Sequence, residues 1–138
     1  DIQNRLINGL LNTTRVPVES NLEPGDHIPG LPATASRDHM LDHARRHGLA
    51  EIPVHREQEP GEWFAFVRVI ELATGETPIE ELLIELPRVT PNTSRLDALM
   101  QLNGAAAPIA VVVDGNRSVG LVNRRQLTEQ LFEWQAPE

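Results

Sequence analysis

The sequence has no cysteine. That removes a disulfide framework and every thiolate metal site, so an ordinary core must hold the chain. Positive charge is the second shortage: twelve Lys plus Arg stand against twenty Asp plus Glu, a formal net charge of −8. This balance argues against broad binding to nucleic acid or an anionic membrane, and any anionic ligand needs a local basic pocket. Long apolar runs are missing too. The longest, Ala105 to Val113, is nine residues interrupted by Pro108, too short to span a bilayer. No secretory signal pattern is visible. Catalytic signatures are equally scarce: there is no Gly-x-Ser-x-Gly elbow, no Walker-type loop and no thiol nucleophile. No catalytic residue is assigned, and an enzyme is the least favoured class.

What remains is an ordinary globular composition of single-domain length, 138 residues with 40% hydrophobic and 23% charged. Ile2, Leu6, Ile7, Leu10 and Leu11 fall at helical spacing and predict a helix over 1–12. A chain that opens on Asp1 with such a helix reads as a fragment of a longer protein. Arg15 to Ser20 is extended, and Pro24-Gly25, Pro29-Gly30 and Pro32 make 21–36 a loop. Ser36 to Gly48 is a helix with a Ser cap, apolar Met40, Leu41 and Ala44, and a Gly stop. Glu51 to His55 is a strand that Pro53 marks as an edge or a strand end; Trp63 to Val69 is a second strand.

The second half repeats the order. Leu86 to Thr90 is extended, and Asn92 to Gly104 is a capped helix that ends in Gly. Ile109 to Val113 and Ser118 to Val122 are strands joined through Asp114-Gly-Asn-Arg117, a strong hairpin signal, and Arg124 to Trp134 closes as a helix. Gly48 and Gly104 lie 56 apart and Val67 and Val122 lie 55 apart, so one offset relates the halves. Two copies of a β-α-β-β-α unit follow, each too short to bury its sheet alone.

With Thr13-Thr-Arg-Val16, Arg45 to Val54 and Val111 to Leu127, this order resembles a tandem pair of CBS domains, the Bateman module. More narrowly it is similar to the cytoplasmic modules of hemolysin-C-like and magnesium/cobalt-efflux (CorC) proteins and of cyclin M transport mediators. The resemblance covers roughly 12 to 134. It implies an α/β (α+β) fold of two pseudo-twofold-related repeats, each a small sheet with two helices: 1–12 connecting helix, 13–77 first repeat, 78–138 second repeat. It further implies a homodimer, and a parent protein with its own membrane domain upstream of residue 1. The module would then lie on the cytoplasmic side of the inner or plasma membrane. The implied ligand is an adenine nucleotide, ATP, ADP or AMP with or without Mg, bound in the cleft between repeats; no cofactor is required.

In nucleotide-binding repeats of this kind a strand ends in Gly-x-x-Thr/Ser-x-x-Asp and passes into a helix. The Asp accepts the ribose hydroxyls, while the hydroxyl and the helix N-terminus favour a phosphate. In Gly120-Leu-Val-Asn-Arg-Arg-Gln-Leu127, Asn123 takes the Thr/Ser place and Gln126 the Asp place; in the first repeat Arg68 and Glu71 hold them. Exchanging an ionised acceptor for an amide replaces a bond of roughly 1.5–3 kcal/mol by one nearer 1, about tenfold in affinity. The expected site combines Thr13, Ile52, Pro53 and Val54 with Asn123 and Gln126. A pseudo-symmetric site uses Arg68, Glu71, Ile109 and Ala110. Arg124 and Arg125, at the helix start, are placed either for an anion or as solvated surface residues. The alternative function is a ligand-free dimerisation module with degenerate sites.

His39, His43 and His47 recur every four residues, a spacing that can chelate zinc or nickel. They flank the Met40/Leu41/Ala44 face and lack a His-Glu-x-x-His order, so they read as its polar border and no metal site is expected. Trp63 and Phe64 read as strand residues packing on a helix.

Overall fold

The computed structural model describes residues 17–18 and 28–132. The helix expected over 1–12, Thr13 and Trp134 lie outside them. By contacts these residues divide into two compact units, 28–86 and 17–18 with 87–132.

The unit 28–86 runs β1 (Leu31–Pro32), α1 (Arg37–His47), β2 (Glu51–Arg56), β3 (Glu59–Arg68), α2 (Val69–Thr74), α3 (Ile79–Leu82) and β4 (Ile84–Glu85). Its sheet has the order β1-β2-β3-β4, with β1 parallel to β2 and the other pairs antiparallel. The local reasons for α1 are explicit. Ser36 Oγ accepts the His39 N–H at 3.1 Å, Asp38 stands in the first turn, and Arg45, Arg46 and His47 stand in the last. Gly48, at φ 64°, closes the helix in the left-handed region, and the Leu49 N–H returns to Ala44 O at 2.9 Å. Met40 and Ala44, one turn apart, are buried with Ile52, Val54, Val67 and Leu72 as the core. Each large side chain so buried contributes about 1.5–3 kcal/mol.

Two features depart from expectation. Pro53 sits in β2, which has neighbours on both sides, rather than on an edge. His55 turns its carbonyl to the Ala33 N–H on the β1 side, and Pro53, two residues earlier, turns the place of its missing N–H the same way. β1 begins only opposite Val54, so no ladder bond is lost there. Second, Ile79–Leu82 and Ile84–Glu85 stay with the first sheet, where Ala65 faces Glu85 and Phe66 faces Ile84. By contacts the two units part between Leu86 and Pro87.

The loop before β1 is fixed by contact. A Cβ on Gly30 would stand 2.3 Å from the Trp63 ring and 2.6 Å from Pro53 O, so only glycine fits. Trp63 is buried and meets His55 edge to face at 5.2 Å. Arg37 on α1 donates to Leu72 O at 2.6 Å and to Thr77 O, placing a cation at the carbonyl end of α2.

The other unit runs β5 (Arg88–Val89), α4 (Arg95–Gly104), β6 (Ile109–Asp114), β7 (Arg117–Asn123) and α5 (Arg124–Phe132). Its sheet has the order β5-β6-β7, parallel then antiparallel. Val18 is fully buried in the structure and its N–H donates to Thr93 O at 2.8 Å, while Pro17 bridges Ser94. Ser94 caps α4 through the Asp97 N–H at 3.1 Å. Asp114 faces Arg117 across the expected tight hairpin, with Gly115 at φ 65°.

The units repeat, but on two offsets rather than one. Ser36 and Ser94, Met40 and Ala98, Leu31 and Val89, and Val54 and Val112 are equivalent at a separation of 58. Arg68 and Asn123, and the fully buried Leu72 and Leu127, are equivalent at 55. The three-residue difference lies in the hairpins, since Val54 faces Ala65 while Val112 faces Gly120. The counterpart of Gly48 is then Ala106, at φ 51°, with the Ala107 N–H on Leu102 O as the Leu49 N–H is on Ala44 O. Gly104 is instead the last residue of α4. The structure is an α+β arrangement of two small sheets with helices.

Candidate functional site

In each unit a strand of the central hairpin runs directly into a helix, and both junctions are built by the same backbone bonds. At the first, Arg68 faces Glu51 across the ladder and the Val69 N–H donates to Ala50 O at 2.9 Å. At the second, Asn123 faces Ile109 and the Arg124 N–H donates to Pro108 O at 2.8 Å. The helix N-terminus that follows is thus held at a fixed angle to the strand, and its leading N–H groups form a positive end.

The side chains at the two junctions differ. Asn123 Oδ1 accepts the Gln126 N–H at 2.6 Å, so Asn123 is the N-cap of α5. Asn followed three residues later by Gln is a capping-box pattern, and this signal in the sequence could have found the role. Arg68 occupies the cap of α2 at φ −83° and ψ 126°, with no side-chain cap bond. Its Nη1 lies 3.8 Å from Glu71 Oε1, and both side chains are more than a third exposed. An exposed pair of that length contributes about 0–1 kcal/mol. Gln126 is half-buried.

The structure brings Ile109 beside Asn123, Asn123 beside Gln126, and Arg68 beside Glu71. Ile52, Pro53 and Val54 lie on β2 opposite Val67, Phe66 and Ala65. Ile52, Pro53, Val54 and Ala110 are all buried, which leaves them mainly backbone groups to present; Ile109 is half-buried. Arg124 is half-buried, whereas Arg125 is exposed and pairs with Glu129 at 3.1 Å. Phe64, half-buried, carries the Arg56 guanidinium over its ring at 4.8 Å.

Among the described residues no group of three or more His, Asp or Glu is placed to hold a metal ion. Among the same residues no helix is long and apolar enough to cross a membrane.

No protein-family model matches the sequence, and no curated protein matches it. Solved structures do. The CBS domain of a bacterial CNNM/CorC family Mg2+ transporter in complex with ATP aligns with TM-score 0.84 at 18% identity, over 96% of this chain and 98% of that one. A hemolysin-like protein containing a CBS domain, from Oenococcus oeni, aligns with TM-score 0.79 at 11% identity, over 92% and 98%. A CBS-domain pair with bound AMP from Klebsiella pneumoniae aligns with TM-score 0.69 at 18% identity, over 85% and 98%. Identities this low speak to backbone architecture alone, and on that ground the chain has the fold of the CBS-domain structures of CNNM/CorC transporters and hemolysin-like proteins.

Proposed function

We propose that this chain is a regulatory, non-catalytic CBS module of a transport-associated membrane protein and that it senses an adenine nucleotide at its strand-to-helix junctions. The observation that carries the reading is the repeated junction, in which one backbone construction at 68–69 and at 123–124 presents a helix N-terminus beside a polar side chain. Such an end suits a phosphate. Similarity to a module solved with ATP and to one solved with AMP supports the same ligand class. The nucleotide binds with or without Mg, the module acts as a homodimer on the cytoplasmic side, and an upstream membrane domain receives the signal. Regulation of this kind requires the ligand to favour one arrangement of the module over another.

The second reading is a ligand-free dimerisation module. It is favoured by the engagement of the junction side chains with their own helices: Asn123 with the Gln126 N–H, Arg68 with Glu71. Calorimetric titration with ATP, ADP and AMP, with and without magnesium, separates the two. Heat and a raised melting temperature are expected for the sensor; neither effect at millimolar nucleotide leaves only the scaffold. Gln126→Asp with Asn123→Thr should tighten binding about tenfold by restoring a charged ribose acceptor.

A further inference from the structure

The histidine stripe of α1 plays no part in that reading. His43 and His47 stand one turn apart with ring centroids separated by 4.5 Å and planes tilted by 49°. The Nε2–H of His43 donates to Pro29 O at 2.8 Å. In the neutral ring this leaves the lone pair on Nδ1. Histidines that ligate metals are commonly held this way, the second nitrogen donating to a backbone carbonyl that fixes the tautomer and raises the basicity of the first.

We propose that His43 and His47 form a two-imidazole site for a borderline transition-metal cation, Zn2+ or Ni2+, with water completing the coordination. The rings already touch, so a turn of the exposed His47 ring about χ2, with His43 kept on Pro29 O, can set one of its nitrogens about 3.3 Å from His43 Nδ1, as bonds of about 2.0–2.1 Å to one tetrahedral centre require. His47 is exposed and open to the solvent. Asp42, next to His43 in the chain, is engaged by Arg45 at 2.7 Å and Arg46 at 2.5 Å, so it is not offered as a third ligand and the imidazoles set the selectivity. Nitrogen ligands favour Ni2+ and Zn2+, whereas Mg2+ seeks oxygen. Metal on His43 would also strengthen its hold on Pro29, next to Gly30, on which Trp63 lies.

The test is calorimetric titration of the whole chain with ZnCl2 and with NiCl2, in the absence of nucleotide so that its outcome is independent of the nucleotide reading. One equivalent is expected to bind with micromolar affinity, unaffected by millimolar MgCl2. His47→Ala should weaken binding about tenfold or more while the far-ultraviolet circular dichroism stays unchanged. His43→Ala should do the same, and His39→Ala should leave the affinity as it is. In a Trp134→Phe background, zinc should shift the Trp63 emission of the parent and not that of His47→Ala. Absence of binding, binding that survives His47→Ala, or binding lost in His39→Ala overturns the proposal.

Discussion

Asn123 Oδ1 accepts the amide N–H of Gln126 at 2.6 Å, so the two positions singled out for a ribose are joined to each other across the first turn of a helix. The equivalent cap in the other unit, Arg68, makes no such bond. Loss of an N-cap acceptor costs roughly 0.5–2 kcal/mol. Asn123→Ala should lower stability in urea denaturation by about that amount, and Asn123→Thr by much less, since Thr also caps. Arg68→Asn should gain about 1 kcal/mol, because its backbone already has the extended geometry of a cap. An Asn123→Ala variant as stable as the parent would show that the Asn123 side chain does not cap α5.

Two glycines should respond to alanine in opposite directions. At Gly30 the new Cβ meets the Trp63 ring at 2.3 Å and the backbone oxygen of Pro53 at 2.6 Å, and neither can retreat without shifting the strand pair. Gly30→Ala should cost about 1–3 kcal/mol or more, with a change in tryptophan emission. Gly104 ends α4 with nothing within 4 Å of such a Cβ. Gly104→Ala should gain about 0.5–1 kcal/mol, read as a rise in melting temperature.

Ala106 carries the left-handed conformation that glycine carries at position 48. A non-glycine residue there costs roughly 1–2 kcal/mol, and glycine gives back part of that through the greater freedom of its unfolded chain. Ala106→Gly should therefore stabilise by about 0.5–1 kcal/mol. Thermal unfolding with Gly48→Ala as the mirror experiment checks it; equal effects of one sign in both would contradict the equivalence of the two turns.

Asp42 lies under a hydrogen bond from Arg45, with the charge of Arg46 beside it, and its carboxyl titrates below the ordinary value of 3.8. A carboxyl depressed by folding stabilises fully above its unfolded pKa, near 3.9, and the contribution is lost as pH falls through the folded one. The stability difference between the parent and Asp42→Asn should thus be full at neutral pH, begin to shrink near the unfolded pKa, and vanish only once the pH lies below the depressed folded one. Nuclear magnetic resonance titration should show the Asp42 midpoint rising in Arg45→Ala and, less, in Arg46→Ala. Added salt should narrow the gap.

Much of the repeat could be read from the chain because its punctuation is local. Ser36 and Ser94 cap their helices through bonds three residues long, and Asp114-Gly115 turns its hairpin, so neither needs tertiary information. The end of α4 at Gly104 is legible in the sequence, but the counterpart of Gly48 is not, because a left-handed turn is a backbone state and Ala106 adopts it without a compositional sign. Pro53 reads in the sequence as an edge or strand-end residue because the shortness of β1, which makes it harmless, belongs to a partner strand that ends 21 residues earlier in the chain. β4 went unread for the same reason: Ile84-Glu85 becomes a strand by pairing with Ala65 and Phe66. At the junctions, position was legible from the repeat. The engagement of Asn123 with Gln126 is legible too, as a capping pattern, because the same two residues fit both a cap and a ribose site.

The three extra residues of the first hairpin leave both flanking registers intact, with Ile52 opposite Val67 as Ala110 is opposite Val122. Its tip is therefore a place where the chain accepts new length or a foreign side chain without disturbing either helix start. Glu57 and Asn116 are exposed at the two tips, and the chain contains no cysteine. A single Glu57→Cys or Asn116→Cys substitution gives a unique thiol, so one spectroscopic probe can be attached to either half at will.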